Sequence, residues 1–149
     1  MSARSNISNV TRRQVVGMLS GAGASVLMPK TVLAQSNELG LGIIIIVASW
    51  CSVCHQAAPI LKVFEEQNGI PVLMASMDGR PVSPYLTAED ARLHPVASKF
   101  QTVPTTLLYS AAANDVVGQI QGFRSARGYI TQLKQMVLSA IELGGSNNG

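Results

Sequence analysis

Only two of the 149 residues are cysteine, two are histidine, 5% are aromatic and 13% carry charge. Two cysteines cannot staple a small secreted scaffold through several bridges. A structural zinc site takes four ligands at finger-like spacing, which two cysteines with His55 and His94 do not supply. The scarcity of charge, beside 47% hydrophobic residues and a mean hydropathy of +0.26, excludes a disordered chain. No internal repeat is present, and the length suits one domain with one modest core.

Acid is missing from the front of the chain. Residues 1–34 hold Arg4, Arg12, Arg13 and Lys30 and no carboxylate, while 35–149 hold seven bases against eight acids, a net −1. The overall surplus of positive charge, +3 at neutral pH, therefore belongs to the leading segment. A nucleic-acid partner, which a pI near 9.1 invites, is not expected of the remainder.

That leading segment runs from a polar, basic start into an apolar stretch of small residues, Val15 to Met28, and then Val32-Leu33-Ala34. A positive n-region, a short h-region and a small-residue cleavage site are the layout of a secretory signal, with the cut expected between Ala34 and Gln35. A bilayer-spanning helix needs about 20 apolar residues, so an anchor fits less well. Thr11-Arg12-Arg13-Gln14-Val15-Val16 resembles a twin-arginine export motif, with an ordinary Sec signal as the alternative. Either route carries the rest of the chain across a membrane, into the periplasm of a Gram-negative host, where disulfides persist.

Residues 35–41 are expected as a linker. Gly42 to Ser49 is a continuous β-branched run of the kind found in strands buried on both faces. Cys51 to Gln67 has helical spacing and closes at Asn68-Gly69. Ile70 to Met77 is a second strand, and Thr87-Ala88-Glu89-Asp90 opens a helix that continues through Phe100. Two strands, Thr105 to Tyr109 and Val116 to Ile120, form a hairpin through Asn114-Asp115. Ser125 caps a last amphipathic helix, and 144–149 form a flexible tail. The order β-α-β-α-β-β-α predicts an α/β domain over 42–143 whose mixed central sheet is flanked by helices.

Chemistry concentrates in Ser49-Trp50-Cys51-Ser52-Val53-Cys54-His55, where a strand meets a helix. Unpaired N–H groups and the positive end of the helix dipole favour the thiolate at Cys51. Cys54, one turn on and less open, is placed to bridge back to it. That division makes Cys51 the attacking sulfur and Cys54 the resolving one. A static structural disulfide is the weaker reading, because so small a loop constrains the unfolded chain little.

Cys51-x-x-Cys54-His55 also spells the c-type haem attachment motif. A cytochrome domain, being mainly helical, does not place that motif straight after an Ile-rich strand. His55 is either a polar residue of the first helical turn or a tuner of the nearby thiolate. Trp50 is either a packing aromatic or a substrate contact.

Trp50-Cys51-x-x-Cys54 after a strand, Pro59 five residues beyond, and Val103-Pro104-Thr105 ahead of another strand together resemble the thioredoxin superfamily. The resemblance spans about Leu41 to Leu143. It implies a thioredoxin-like fold, a cis Val103–Pro104 bond, and substrate contact through Trp50, Val103 and Pro104. Cys51-x-x-Cys54-His55-Gln56-x-x-Pro59-x-Leu61, followed by Ser76-Met77-Asp78-Gly79, is similar to the thioredoxin-like proteins of conjugal-transfer pilus assembly.

These resemblances imply thiol:disulfide exchange with protein substrates and no cofactor beyond the dithiol. They also imply a redox partner in the membrane, with membrane contact otherwise confined to export. An assembly or docking module of a secretion apparatus is the rival implication. No dimerisation segment is evident, so a monomer is expected. Two departures stand out: Ser52-Val53 lies between the cysteines, and Ile45 takes the place where thioredoxins carry a buried aspartate.

Overall fold

The computed structural model describes residues 29–146, so the segment read as an export signal lies largely outside the described residues. Its elements are α1 (Lys30–Glu38), β1 (Leu41–Val47), α2 (Ser52–Asn68), β2 (Val72–Ser76), β3 (Glu89–Asp90), a single 3-10 turn (Ala97–Lys99), β4 (Thr105–Ser110), β5 (Asp115–Gln121) and α3 (Ala126–Ser146). The five strands form one mixed sheet in the order β3-β2-β1-β4-β5. β1, β2 and β3 run parallel, β4 runs antiparallel to β1, and β5 returns beside β4.

The isoleucine run explains why β1 is central. Ile43, Ile45 and Val47 point into a core shared with Leu61, Phe64, Leu133 and Val137 of α2 and α3. Ile44 and Ile46 point the other way, onto Ala75, Leu107, Ala91 and Ala97. Alternate side chains of a strand face opposite sides, so an unbroken apolar run demands cover on both.

The cover on the second face differs from expectation. In place of a helix over 87–100, Glu89 and Asp90 pair with Ala75 and Ser76 as a short edge strand. Asp90 then accepts from the Arg92 amide at 2.9 Å and pairs with the Arg92 guanidinium at 2.7 Å, closing a local turn. His94 Nδ1 accepts from the amides of Val96 and Ala97 at 3.1 and 3.0 Å, capping the 3-10 turn. Pro95, between those residues, disfavours a helical residue before it and has no amide to donate. The acids read as first-turn helix residues serve a strand and a turn instead.

Structure also extends past both expected domain ends. The stretch expected as a linker, 35–41, is helical to Glu38, turns at Gly40 with φ 57° and enters β1 at Leu41. It is pinned to the β4–β5 hairpin, with Ala111 N–H on the Gly40 carbonyl at 3.1 Å and Ser110 Oγ on the Leu39 carbonyl at 3.1 Å. The expected tail is helical as far as Ser146. Gly144 lies so close to Leu39 that an added Cβ would stand 2.7 Å from its Cδ2. Packing between α1 and α3 carries both segments beyond the range their sequence periodicity shows.

At β5, the ladder shifts register between Leu108 and Tyr109, opposite Gly118. A Cβ on Gly118 would stand 2.3 Å from Met136 Cγ, so the glycine lets α3 lie close on the sheet.

Candidate active site

The dithiol sits beyond the carboxyl end of β1. A turn closed by Cys51 N–H on the Ala48 carbonyl at 3.1 Å lifts the chain out of the strand and starts α2. Cys51 is the N-cap residue, with extended backbone, and its Sγ accepts from the Cys54 amide at 3.2 Å. The four leading amides of a helix lack internal partners, so a sulfur in this position meets a donor and the positive end of the helix dipole. Cys51 and Cys54 are joined as a disulfide with Cα atoms 5.3 Å apart. Cys54 is wholly buried, whereas Cys51 keeps 8% of its surface.

Around them, Trp50 projects into solvent with 73% of its surface exposed. His55 folds back, its Nε2 2.8 Å from the Ser49 carbonyl, rather than aiming at the sulfurs. Ile45 is fully buried in the same apolar cluster as Cys54.

The register Ile46↔Thr105 brings Pro104 alongside Val47, at the same end of the sheet as Cys51. The Val103–Pro104 bond is cis, in accord with the resemblance, and Ser83–Pro84 is cis as well. Pro104 is buried, and its carbonyl accepts from Gly122 N–H at 2.8 Å. Val103 is half-buried, and its own main-chain groups take no partner among the described residues. Trp50, Cys51, Cys54, His55, Val103 and Pro104 thus lie at one end of the sheet.

Asp78 joins them. In the turn after β2, it accepts at Oδ1 from the Ser49 amide (3.3 Å), Ser76 Oγ (2.7 Å) and the Arg80 amide (3.4 Å), while its Oδ2 takes the Ser49 hydroxyl. The Ser49 and Ser76 hydroxyls hold this carboxyl well below the usual carboxylate range. In sequence Asp78-Gly79 belongs to the stretch that carries the conjugal-transfer resemblance and is otherwise a turn signal, with no role at the site, because nothing local shows that β2 brings it beside β1. Among the described residues no group of three or more His, Cys, Asp or Glu is placed to hold a metal ion. Nor is any helix among them long and apolar enough to cross a membrane.

A family model described as "TraF: F plasmid transfer operon protein" matches residues 28–138. The chain belongs to the TraF family. Among solved structures, this TraF-family chain is similar to a putative thiol:disulfide interchange protein DsbE from Chlorobium tepidum, with a TM-score of 0.52 and 21% identity over 71% of this chain and 84% of that one. It is also similar to oxidized thioredoxin O2 from Arabidopsis thaliana, with a TM-score of 0.48 and 12% identity over 74% and 84% of the two chains. The first of these likenesses establishes a thioredoxin-like fold. No curated protein matches.

Proposed function

We propose that this TraF-family protein is an exported thiol:disulfide oxidoreductase acting on protein substrates. The observation that carries the reading is the asymmetry of the cysteine pair: Cys51 caps the helix through its sulfur and keeps 8% of its surface exposed, and Cys54 lies wholly buried one turn below. As a thiolate, the Cys51 sulfur gains from the Cys54 amide and the helix dipole, and it attacks a substrate disulfide. One substrate sulfur leaves as a thiolate, and a Cys51 mixed disulfide forms. Cys54, once deprotonated, attacks Cys51 Sγ, releases the second substrate thiolate and closes the internal disulfide. The substrate has then gained two electrons and the protein has lost them. The same steps in reverse oxidise a substrate dithiol. Trp50 and the free main chain of Val103, beside Pro104, are the proposed contacts for the substrate chain.

His55 is left with a supporting part, since its Nε2 already meets the Ser49 carbonyl. That engagement also counts against haem, which requires a free axial imidazole and two thioether sulfurs. The TraF family description names a plasmid-transfer operon, and components of a transfer apparatus are the proposed substrates. Residues 1–34 are proposed as the export signal, which places the exchange in the periplasm, recharged there by a redox partner in the membrane.

Insulin reduction or scrambled-ribonuclease refolding tests the proposal. Cys51→Ala abolishes turnover, and Cys54→Ala accumulates a mixed disulfide through Cys51. Full activity in Cys51→Ala refutes the reading. A glutathione titration assigns direction, with a potential near about −270 mV marking a reductant and about −120 mV an oxidant.

A further inference from the structure

We infer that Asp78 is a positioning residue for the dithiol, holding the Ser49-Trp50-Cys51 turn in the geometry that presents Trp50 and Cys51 to a polypeptide. The inference rests on the exchange function proposed above, and it concerns a residue 29 positions away in sequence from the serine it holds.

Every polar group of Ser49 is engaged. Its N–H and hydroxyl go to Asp78, and its carbonyl meets His55 Nε2. Ser49 is the hinge of this segment, lying between the buried end of β1 and the exposed Trp50. The Cys51 amide, by contrast, holds only the Ala48 carbonyl behind it. Without Asp78, the turn keeps the Cys51 bond back to Ala48 and its bonds to Cys54 and His55 of α2, while Ser49 loses its tie to the segment that follows β2.

Asp78 is itself fixed. Ser76 Oγ and the Arg80 amide hold its carboxylate, and the Met77 amide ties its turn to the Val47 carbonyl at 2.8 Å. Charge-assisted bonds to a carboxylate are shorter and stronger than neutral ones, and here two of them end on one serine. A carboxyl held so low stays ionised at neutral pH, so it neither donates nor collects the protons of the exchange. Its contribution is orientation: a reacting group displaced by about 1 Å can lose a hundredfold in rate.

The experiment uses the full chain and its single tryptophan, Trp50, which sits in the turn and reports on it directly. Asp78→Ala and Ser49→Ala are each expected to lower kcat/KM for a protein disulfide about tenfold, a partial loss of orientation. Both lower the Trp50 fluorescence anisotropy. The double variant is expected to be no worse than Asp78→Ala alone, because the hydroxyl bond that Ser49→Ala removes is one of the two that Asp78→Ala removes. Asp78→Asn, which keeps one carbonyl acceptor, recovers part of the rate.

Asp78→Ala with kcat/KM within twofold of wild type and unchanged anisotropy overturns the inference. So does a double variant whose losses multiply. Ser49→Ala removes only a hydroxyl and keeps the question open to measurement if Asp78→Ala does not fold. A wild type that lacks exchange altogether sinks the proposed function instead, and the anisotropy comparison then decides whether Asp78 holds the turn.

Discussion

Tyr129 shows how one buried phenol ties a helix to the sheet. Its hydroxyl and Thr106 Oγ1 lie 2.7 Å apart, both buried, and its ring meets Phe123 edge-on at 5.4 Å. Burial pushes the Tyr129 hydroxyl up to about 12, against the opposing pull of the Thr106 hydrogen bond. Its contribution to stability is therefore complete below about pH 10, where the unfolded phenol still holds its proton. It is lost as pH rises through about 12, because the unfolded chain ionises first. Tyr129→Phe leaves the Thr106 hydroxyl unpaired and is expected to cost about 1–3 kcal/mol at neutral pH. Melting temperature followed into alkali should fall less steeply in the variant than in wild type, and equal slopes would contradict the assignment. At this scale the sequence is legible where chemistry is local. Cys51, Cys54 and the cap between them follow from one strand-to-helix junction, and Asp78 does not, since its meaning depends on which strand lies next to β1.

Among the elements, β1, α2 and the β4–β5 hairpin stand where composition and periodicity predict them. Each carries its own signal: an isoleucine run, a 3.6-residue apolar stripe closing on Gly69 in the left-handed conformation, and Asn114 at φ 52°. The segment 87–100 misleads because Asp and Glu after Thr signal a helix start equally well whether the carboxylates cap a helix or a turn. α1 is illegible for a different reason. It is held at its C-terminal end, through Leu39 against Gly144 and through hydrogen bonds to the hairpin, contacts that join residues 71 or more positions apart.

The approach of α3 to β5 offers a test at this level. Gly118→Ala forces Met136 to move, at a cost expected to be about 1–3 kcal/mol. Chemical denaturation should find Gly118→Ala/Met136→Ala less destabilised than the sum of the single variants. Strict additivity would place the strain elsewhere.

For the molecule as a whole, the division of charge separates a basic leading segment from a nearly neutral body, in keeping with the proposal of export. Replacing Arg12 and Arg13 with lysine is expected to leave the chain in the cytoplasm if the twin-arginine route carries it. Fractionation showing undiminished export would assign the Sec route instead. The body has its own polarity. Leu39, the hairpin turn and Gly144 near the end of α3 gather at the amino end of β1, and the dithiol stands beyond its carboxyl end. Seven residues of strand at about 3.3 Å each separate the two poles by about 23 Å. A bead, dye or fusion partner tethered after α3 would therefore hold the protein by its far pole, leaving the end that carries Trp50 and Cys51 clear to whatever approaches.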